Sequence, residues 1–478
     1  DDIEKVVAQI EKEEALRQKV VEAVIDQPSR RVNFTLTAHP FKDELIMFGG
    51  EFFDGQKTTV YGDMFFYNLN KKSWTVIKAP GAPPPRCGHQ AVATPNGKGE
   101  LWLFGGEFSS PSESQFYHYK DLWVYHIGNK KWEKINAPGG PSSRSGHRMT
   151  YAKKQLFVFG GFHDNLRDFK YYNDLYIFHL GDYKWNRIEL TGSIPAPRSG
   201  CIVLPTSDNR ILVYGGYSKE RIKKDIDKGQ VHTDMFILGQ DKHDQTGLKW
   251  KSVLVKQGGI RISPRCSASA ILVQPDIAYM FGGVYDEEDD EDDEELKGHF
   301  FNDLVALDVE KHQWKNVTLT GKKDPSIRRK RRKQEEEEQS DEEAEDPMEI
   351  VDTAPIVTTL DDGIFTVTLG PAPVASSHSG AGTKNDYFTP SPRINPGLVV
   401  KNNVLYLYGG MFENGDRQYT LNDFYSLDLH KLDEWKKIIE DDFSSQIWLD
   451  SDESSSSEGS DSEEDDSTES DQEEMDVD

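Results

Sequence analysis

Residues 144–185 read RSGHRMTYAKKQLFVFGGFHDNLRDFKYYNDLYIFHLGDYKW. An arginine opens a short alternating apolar run, and a second apolar run ends in Gly160-Gly161. A third begins at Asn173-Asp174, and Trp185 marks a fourth. Four short strands separated by turn signals make one antiparallel sheet unit. The unit occurs six times. Its glycine pairs are Gly49-Gly50, Gly105-Gly106, Gly160-Gly161, Gly215-Gly216, Gly282-Gly283 and Gly409-Gly410. An arginine stands 16 to 19 residues before each pair: Arg31, Arg86, Arg144, Arg198, Arg265 and Arg393. An aspartate follows (Asp63, Asp121, Asp174, Asp234, Asp303, Asp423), and a tryptophan closes the unit (Trp74, Trp132, Trp185, Trp250, Trp314, Trp435). One such sheet has two faces to bury and cannot bury them alone, so the units must pack face to face and close into a ring.

A period of 50–55 residues with this internal order resembles the kelch repeat, and the likeness runs from about residue 30 to 440. The chain has no Trp-Asp dipeptide, which argues against the other common propeller repeat. The expected fold is all-β: a six-bladed kelch β-propeller with an N-terminal helix, a disordered insert and an acidic disordered C-terminal tail. The boundaries expected are 1–28 for an amphipathic helix, 29–321 for blades one to five, 322–388 for a mostly disordered charged insert, 389–442 for blade six and 443–478 for the tail. The helix rests on Ile3, Val6, Val7, Ile10, Val20, Val21 and Val24 at near-helical spacing behind an acidic start. Its docking on the propeller is favoured over partner binding.

The formal charge of −27 is concentrated in two segments. Asp286 to Glu295 is ten consecutive acids, and 451–478 holds fourteen acids with no Lys or Arg, so the remainder sums to −3. Appended acidity of this kind points to a basic partner surface. Cys87, Cys201 and Cys266 follow repeat arginines closely and read as reduced core thiols of a cytoplasmic and/or nuclear protein. There is no signal peptide and no apolar run long enough to span a membrane; the opening Asp1 leaves room for a preceding segment. The run RRKRRK at 328–333 suits nuclear import, although acids follow it at once.

Strand direction alternates within a blade, so links from strand two to three and from blade to blade share one face. That face receives the acidic run, the basic stretch YSKERIKKDIDKGQVH at 217–232 and the insert before Arg393. Variable loops on one rim of a rigid scaffold are where such folds bind. The candidate partner-binding residues are Glu51, Phe52, Glu107, Phe108, Phe162, Arg167, Tyr217, Arg221, Lys223, Lys224, Phe412 and Arg417. Aromatics beside Arg are hot-spot chemistry. In the competing reading the aromatics seal loop against loop and the charges are merely solvated. The glycine pairs and repeat tryptophans are assigned structural roles. The repeat arginines are expected to bridge blades through backbone carbonyls rather than to form an anion ring.

The segments GGEFFDGQK, HYKDLW, RSGHRM, GYSKERIKKDIDKG and GGMFENGDRQYTLND, with the acidic run and tail, resemble a narrower group, the kelch domain-containing protein 4 family. The resemblance implies an intracellular propeller without an attached catalytic or BTB module. The function expected is a non-catalytic protein–protein interaction scaffold, binding a basic protein client through the strand-two-to-three face with help from the acidic loop and tail. The alternative is a substrate-recognition adaptor of a ubiquitin ligase, by analogy with other kelch proteins. A metal-dependent enzyme ranks below both, because the thirteen histidines are scattered without a repeated ligand spacing. No catalytic residue, metal or cofactor is assigned. One neutralised basic run against two acidic ones disfavours direct nucleic-acid binding, no membrane contact is expected, and the chain is read as a monomer.

Overall fold

The structure, a computed structural model, describes residues 3–224, 226–288, 296–321, 387–415, 417–441 and 446. The insert and tail expected to be disordered lie outside these residues, apart from 387–388 and 446. The second strand of each unit shows why the sheets stack. Residues 45–48, 101–104 and 156–159 are buried without alternation. A strand that buries both its faces lies between two neighbouring sheets.

Blades two and six are four-stranded, built from Gln90–Thr94 to Lys131–Ile135 and from Gly397–Lys401 to Lys436–Ile439. Blade five adds the two-residue strand Gly258–Gly259 to its outer edge. Blades three and four share one eight-stranded sheet, because residues 189–192 run on from blade three and pair in parallel with 249–252 of blade four. Blade one runs from Thr35–Ala38 to Ser73–Lys78 and carries a fifth, outermost strand, Val21–Ile25.

Six apolar clusters among the described residues fill six seams between blades. An open row of six blades would have five seams. The sixth, where Leu45, Met47, Tyr67 and Trp74 of blade one meet Val399, Tyr408 and Phe424 of blade six, closes the ring. Each repeat tryptophan lies in the seam with the preceding blade. Trp132 meets Phe48, Trp185 meets Phe104, Trp250 meets Phe157, Trp314 meets Tyr214, Trp435 meets Phe281 and Trp74 meets Tyr408, with ring centroids 4.9–6.1 Å apart.

Both ends of the propeller are tied at the closing seam. Gln27 donates to the Tyr408 hydroxyl and the Asn422 carbonyl. Arg30 grips Asp441 with both terminal nitrogens at 2.6 Å, and also donates to the Thr420 carbonyl. The Gln446 amide copies a strand partner, accepting from the Thr420 N–H and donating to its C=O.

Two expectations are corrected. The helix spans Ile3–Arg17 only, and its described side chains are exposed, so that part of it buries no face on the propeller. Val21–Ile25 is instead a strand paired with Ser73–Lys78. Val20, Val21, Val24 and Ile25 are β-branched, stiff in a helix and suited to a pleated edge. The second correction concerns the arginines, whose side chains stay within their own blades. Arg86, Arg144, Arg198 and Arg393 each donate to the first glycine's carbonyl at 3.0 Å and reach the repeat aspartate at 2.5–2.6 Å. Arg265 pairs with Asp303 in the same way. A guanidinium this deeply buried needs a carboxylate to offset its desolvation. Backbone bridges the blades instead: the carbonyls of Arg86, Arg144, Arg198 and Arg393 accept from the second glycine N–H of the preceding repeat. Glycine is required at the first position of the pair, since a Cβ on Gly49 (φ +69°) would sit 2.5 Å from the Arg86 carbonyl oxygen.

Candidate docking crown

Beyond each glycine pair the chain forms a β-hairpin, where the sequence reading expected a loop. Glu51–Phe53 pairs with Thr58–Val60, Glu107–Ser109 with Phe116–His118, Phe162–Asp164 with Phe169–Tyr171 and Val284–Glu288 with Leu296–Phe300. In blades four and six the core strands run on into the hairpin, pairing 216–223 with 226–232 and 410–414 with 417–421. A single bridge ties each hairpin to the residue after the repeat arginine, as in Val32–Glu51 and Cys87–Glu107. Strands of three residues are too short for an alternation to be legible in sequence.

Neighbouring hairpins hold one another. The Thr58 N–H and hydroxyl reach the Pro111 carbonyl and Glu113 at 2.9 and 2.6 Å. His118 lies 2.7 Å from the Ser145 hydroxyl and 2.9 Å from the Asp164 carbonyl. Beneath this crown runs a chain of hydrogen bonds from blade to blade that the sequence reading missed. Asn33, Gly88, Gly146, Gly200, Ser267 and Asn395 each stand two residues after a repeat arginine, all at φ +47° to +64°. Gly88 donates to Asn33, Gly146 to Gly88, Gly200 to Gly146 and Asn395 to Ser267, through backbone N–H and C=O. The Asn395 side chain returns to the Asn33 side-chain oxygen at 3.0 Å. The available signal was the recurrence of Gly, Asn and Ser at one repeat position, since the left-handed backbone favours Gly and Asn.

The twelve candidate residues divide into three groups. Phe52, Phe162, Tyr217 and Phe412 are half-buried. Phe162 lies edge-on to His118 at 5.7 Å, Tyr217 faces Tyr171 at 6.4 Å, and Phe412 stacks on Tyr419 at 4.9 Å. Phe108 is exposed, as is its cross-strand neighbour Tyr117. Arg167, Arg221, Lys223, Lys224 and Arg417 stand exposed at hairpin tips. Glu51 and Glu107 turn inward, where the structure brings them together with Cys87. Asn33 donates to Glu51 at 2.6 Å, and Glu107 lies 3.5 Å from the neutral ring of His118. Burial, reinforced by the charges of Glu51, Asp164 and Glu113, pushes the Glu107 carboxyl up to about 8. Burial also raises Glu51, against the pull of the Asn33 donor, and lowers His118 to about 4. The Cys87 thiol is held well above its ordinary range by burial and by the two glutamates. Among the described residues no group of three or more His, Cys, Asp or Glu is arranged to hold a metal ion.

A closed six-bladed ring with a crown of hairpins on one face is a β-propeller of the kelch type. The sequence pattern of the KLHDC2/KLHL20/DRC7 Kelch-repeats domain matches residues 33–244 and 141–332, and the chain belongs to that kelch-repeat family. The narrower group suggested by the loop segments stays a sequence resemblance. Among curated proteins, the chain is 28% identical over 260 residues to the dynein alpha chain of the flagellar outer arm of Chlamydomonas reinhardtii, covering 51% of this chain and 5% of that one. It is 30% identical over 190 residues to acyl-CoA-binding domain-containing protein 5 of Arabidopsis thaliana, covering 39% and 27%. It is 28% identical over 184 residues to kelch repeat-containing protein 2 of Saccharomyces cerevisiae, covering 35% and 20%. The chain thus spans only a minor part of each relative's length. The solved structure of YjhT overlays on 86% of this chain and 98% of its own, at a TM-score of 0.49 and 16% identity. Kelch membership suggests a protein–protein interaction scaffold. Among the described residues no helix is long and apolar enough to cross a membrane.

Proposed function

We propose that the chain is a non-catalytic scaffold that holds a basic protein client on its crown. The observation that supports this most is Glu107, whose burial, reinforced by the charges of Glu51, Asp164 and Glu113, makes its carboxyl hold its proton to about pH 8. A lysine or arginine side chain presented there lets Glu107 ionise and replaces repulsion with an ion pair. Phe52, Phe108 and Phe162 supply apolar contact on the same hairpins, and Asp286–Glu295 with the tail 451–478 supplies long-range attraction.

The test is calorimetric titration of a Lys/Arg-rich peptide into the full chain, into Glu107→Gln, and into a chain ending at Asp450. The expected results are proton release on binding near pH 7, tighter binding from pH 6.5 to 8.5, and weakening with salt. Binding that ignores pH and is unchanged in Glu107→Gln overturns the role of the carboxyl cluster. Binding that ignores salt and survives loss of the tail overturns the role of the acidic segments.

A further inference from the structure

The hairpin tips of blades three and four are stapled into one ridge. Lys219 of blade four pairs with Asp164 of blade three at 3.2 Å, and the Arg221 guanidinium donates to the Arg167 carbonyl at 3.1 Å. Both cations also lie over the Phe169 ring, at 4.5 and 5.1 Å. Among the described residues these contacts engage Asp164, Asp168 and Asp227, since Arg221 also faces Asp227 at 3.2 Å and Asp168 at 3.7 Å. Glu220 sits across the ladder from Lys228. Arg167, Lys223 and Lys224 remain exposed on the ridge.

Interspersed with these cations are three large aliphatic side chains, Leu166, Ile222 and Ile226, at 57%, 55% and 53% exposure. Leu166 is held at φ +72°, in the left-handed region where glycine is at ease and a leucine is not. The turn that holds it is fully hydrogen-bonded. Asp164 accepts from the Leu166 N–H, and the Asn165 side chain accepts from the N–H groups of Arg167 and Asp168. The Asn165 N–H closes the turn on the Asp168 carbonyl. A rigid turn therefore displays a leucine that is largely exposed, in a conformation glycine would relieve. Packing within this fold does not account for it, whereas contact with another molecule does.

We propose that this ridge docks an acidic peptide segment carrying interspersed aliphatic side chains, supplied by a partner protein. Its carboxylates meet Arg167, Lys223 and Lys224, and its aliphatic side chains cover Leu166, Ile222 and Ile226. Of the chain's own acidic segments, the tail 451–478 is a poor match, since Met475 and Val477 are its only large apolar residues, whereas 335–369 sets Met348, Ile350 and Val351 among acids and is the competing occupant. The docking surface uses residues other than the Glu51–Glu107 cluster and takes a ligand of opposite charge, so it stands apart from the basic-client reading.

The experiment is fluorescence anisotropy with a labelled peptide in which leucine and isoleucine are spaced among aspartate and glutamate. It is compared with the same peptide carrying serine at the aliphatic positions. Leu166→Gly is expected to weaken binding about tenfold while leaving Tm unchanged or raised, which a merely structural residue would not do. Lys223→Glu with Lys224→Glu is expected to weaken it comparably and to flatten its salt dependence. The proposal is overturned if the full chain does not bind, if the serine peptide binds equally well, or if Leu166→Gly binds unchanged. Binding that appears only after removal of 451–478 or of 335–369 assigns the ridge to that segment of the chain and overturns the partner. The basic peptide, titrated into the same variants, is expected to be indifferent to Leu166→Gly, so failure of either reading is seen separately.

Discussion

Around the ring the same parts recur: a tryptophan against an aromatic of the preceding blade, an arginine on the aspartate of its own blade and, at four seams, a glycine N–H on an arginine carbonyl. Above it, the six hairpins share a position and little else. Blades one and two turn glutamates inward, blades three and four carry a basic and aliphatic ridge, and blade five carries the acidic run. The difference follows from burial. A seam packed on both sides tolerates few shapes, whereas a hairpin with one face in water can vary without unfolding what lies beneath. The same logic grades the ring itself. Burial pulls the guanidiniums of Arg393 and Arg31 toward the neutral form. Asp423, at 2.6 Å and 5% exposed, more than reverses this at Arg393, while Asp63, at 3.4 Å and 42% exposed, does not at Arg31.

The comparison is tested most severely at the closing seam. Trp74→Ala is expected to cost about 5 kcal/mol in chemical denaturation, because it empties a buried site on which ring closure depends. If it behaves like a surface change, closure does not rest on that seam. Asp423→Ala is expected to cost about 4 kcal/mol by stranding the buried Arg393, against about 1 kcal/mol or less for Asp63→Ala. Equal losses at the two would erase the gradation within the ring.

Glu107→Gln gives a smaller, pH-dependent effect in the opposite direction. The folded carboxyl titrates near 8 against about 4.5 unfolded, so the fold favours the protonated form. This group therefore costs nothing below pH 4.5, and its cost grows as pH rises to 8 and is complete above it. The variant should match the parent near pH 4 and exceed it by a margin that grows with pH and levels off above about pH 8. A constant difference across that range would show that the raised titration of Glu107, set by its burial and by the neighbouring acids, is not the cause. Last, Lys223→Glu or Lys224→Glu alone should change stability by less than about 0.5 kcal/mol. A larger loss would mean that the ridge supports the ring after all.

Much of the ring was legible in the chain, because its constraints are local and repeated. Alternation, the glycine pairs and the spaced tryptophans each state a strand, a turn or a seam within about 50 residues. The crown was only half legible. Aromatics such as Phe52 and Phe162 were found by position, but the hairpins that carry them were read as loops, since three-residue strands leave no period. Residues 20–24 carried helical and strand spacing together, and only the open edge of Ser73–Lys78 decided between them. The pairing of each repeat aspartate with its arginine was not legible, because the two lie 30 to 38 residues apart in the chain.

The sequence by itself determined the number of units, their strands and turns, and the separation of the net charge from the folded ring. Those are properties of short segments repeated along one chain. The tertiary structure alone decided which arginine meets which aspartate, and that Gln27, Arg30, Asp441 and Gln446 fasten the ring. It also decided that Glu107 keeps its proton near neutrality and that Leu166 stands exposed beside Arg167. Each of these depends on groups brought together from distant segments or on a backbone angle that no residue type announces. Distance and burial in the closed ring set their chemistry.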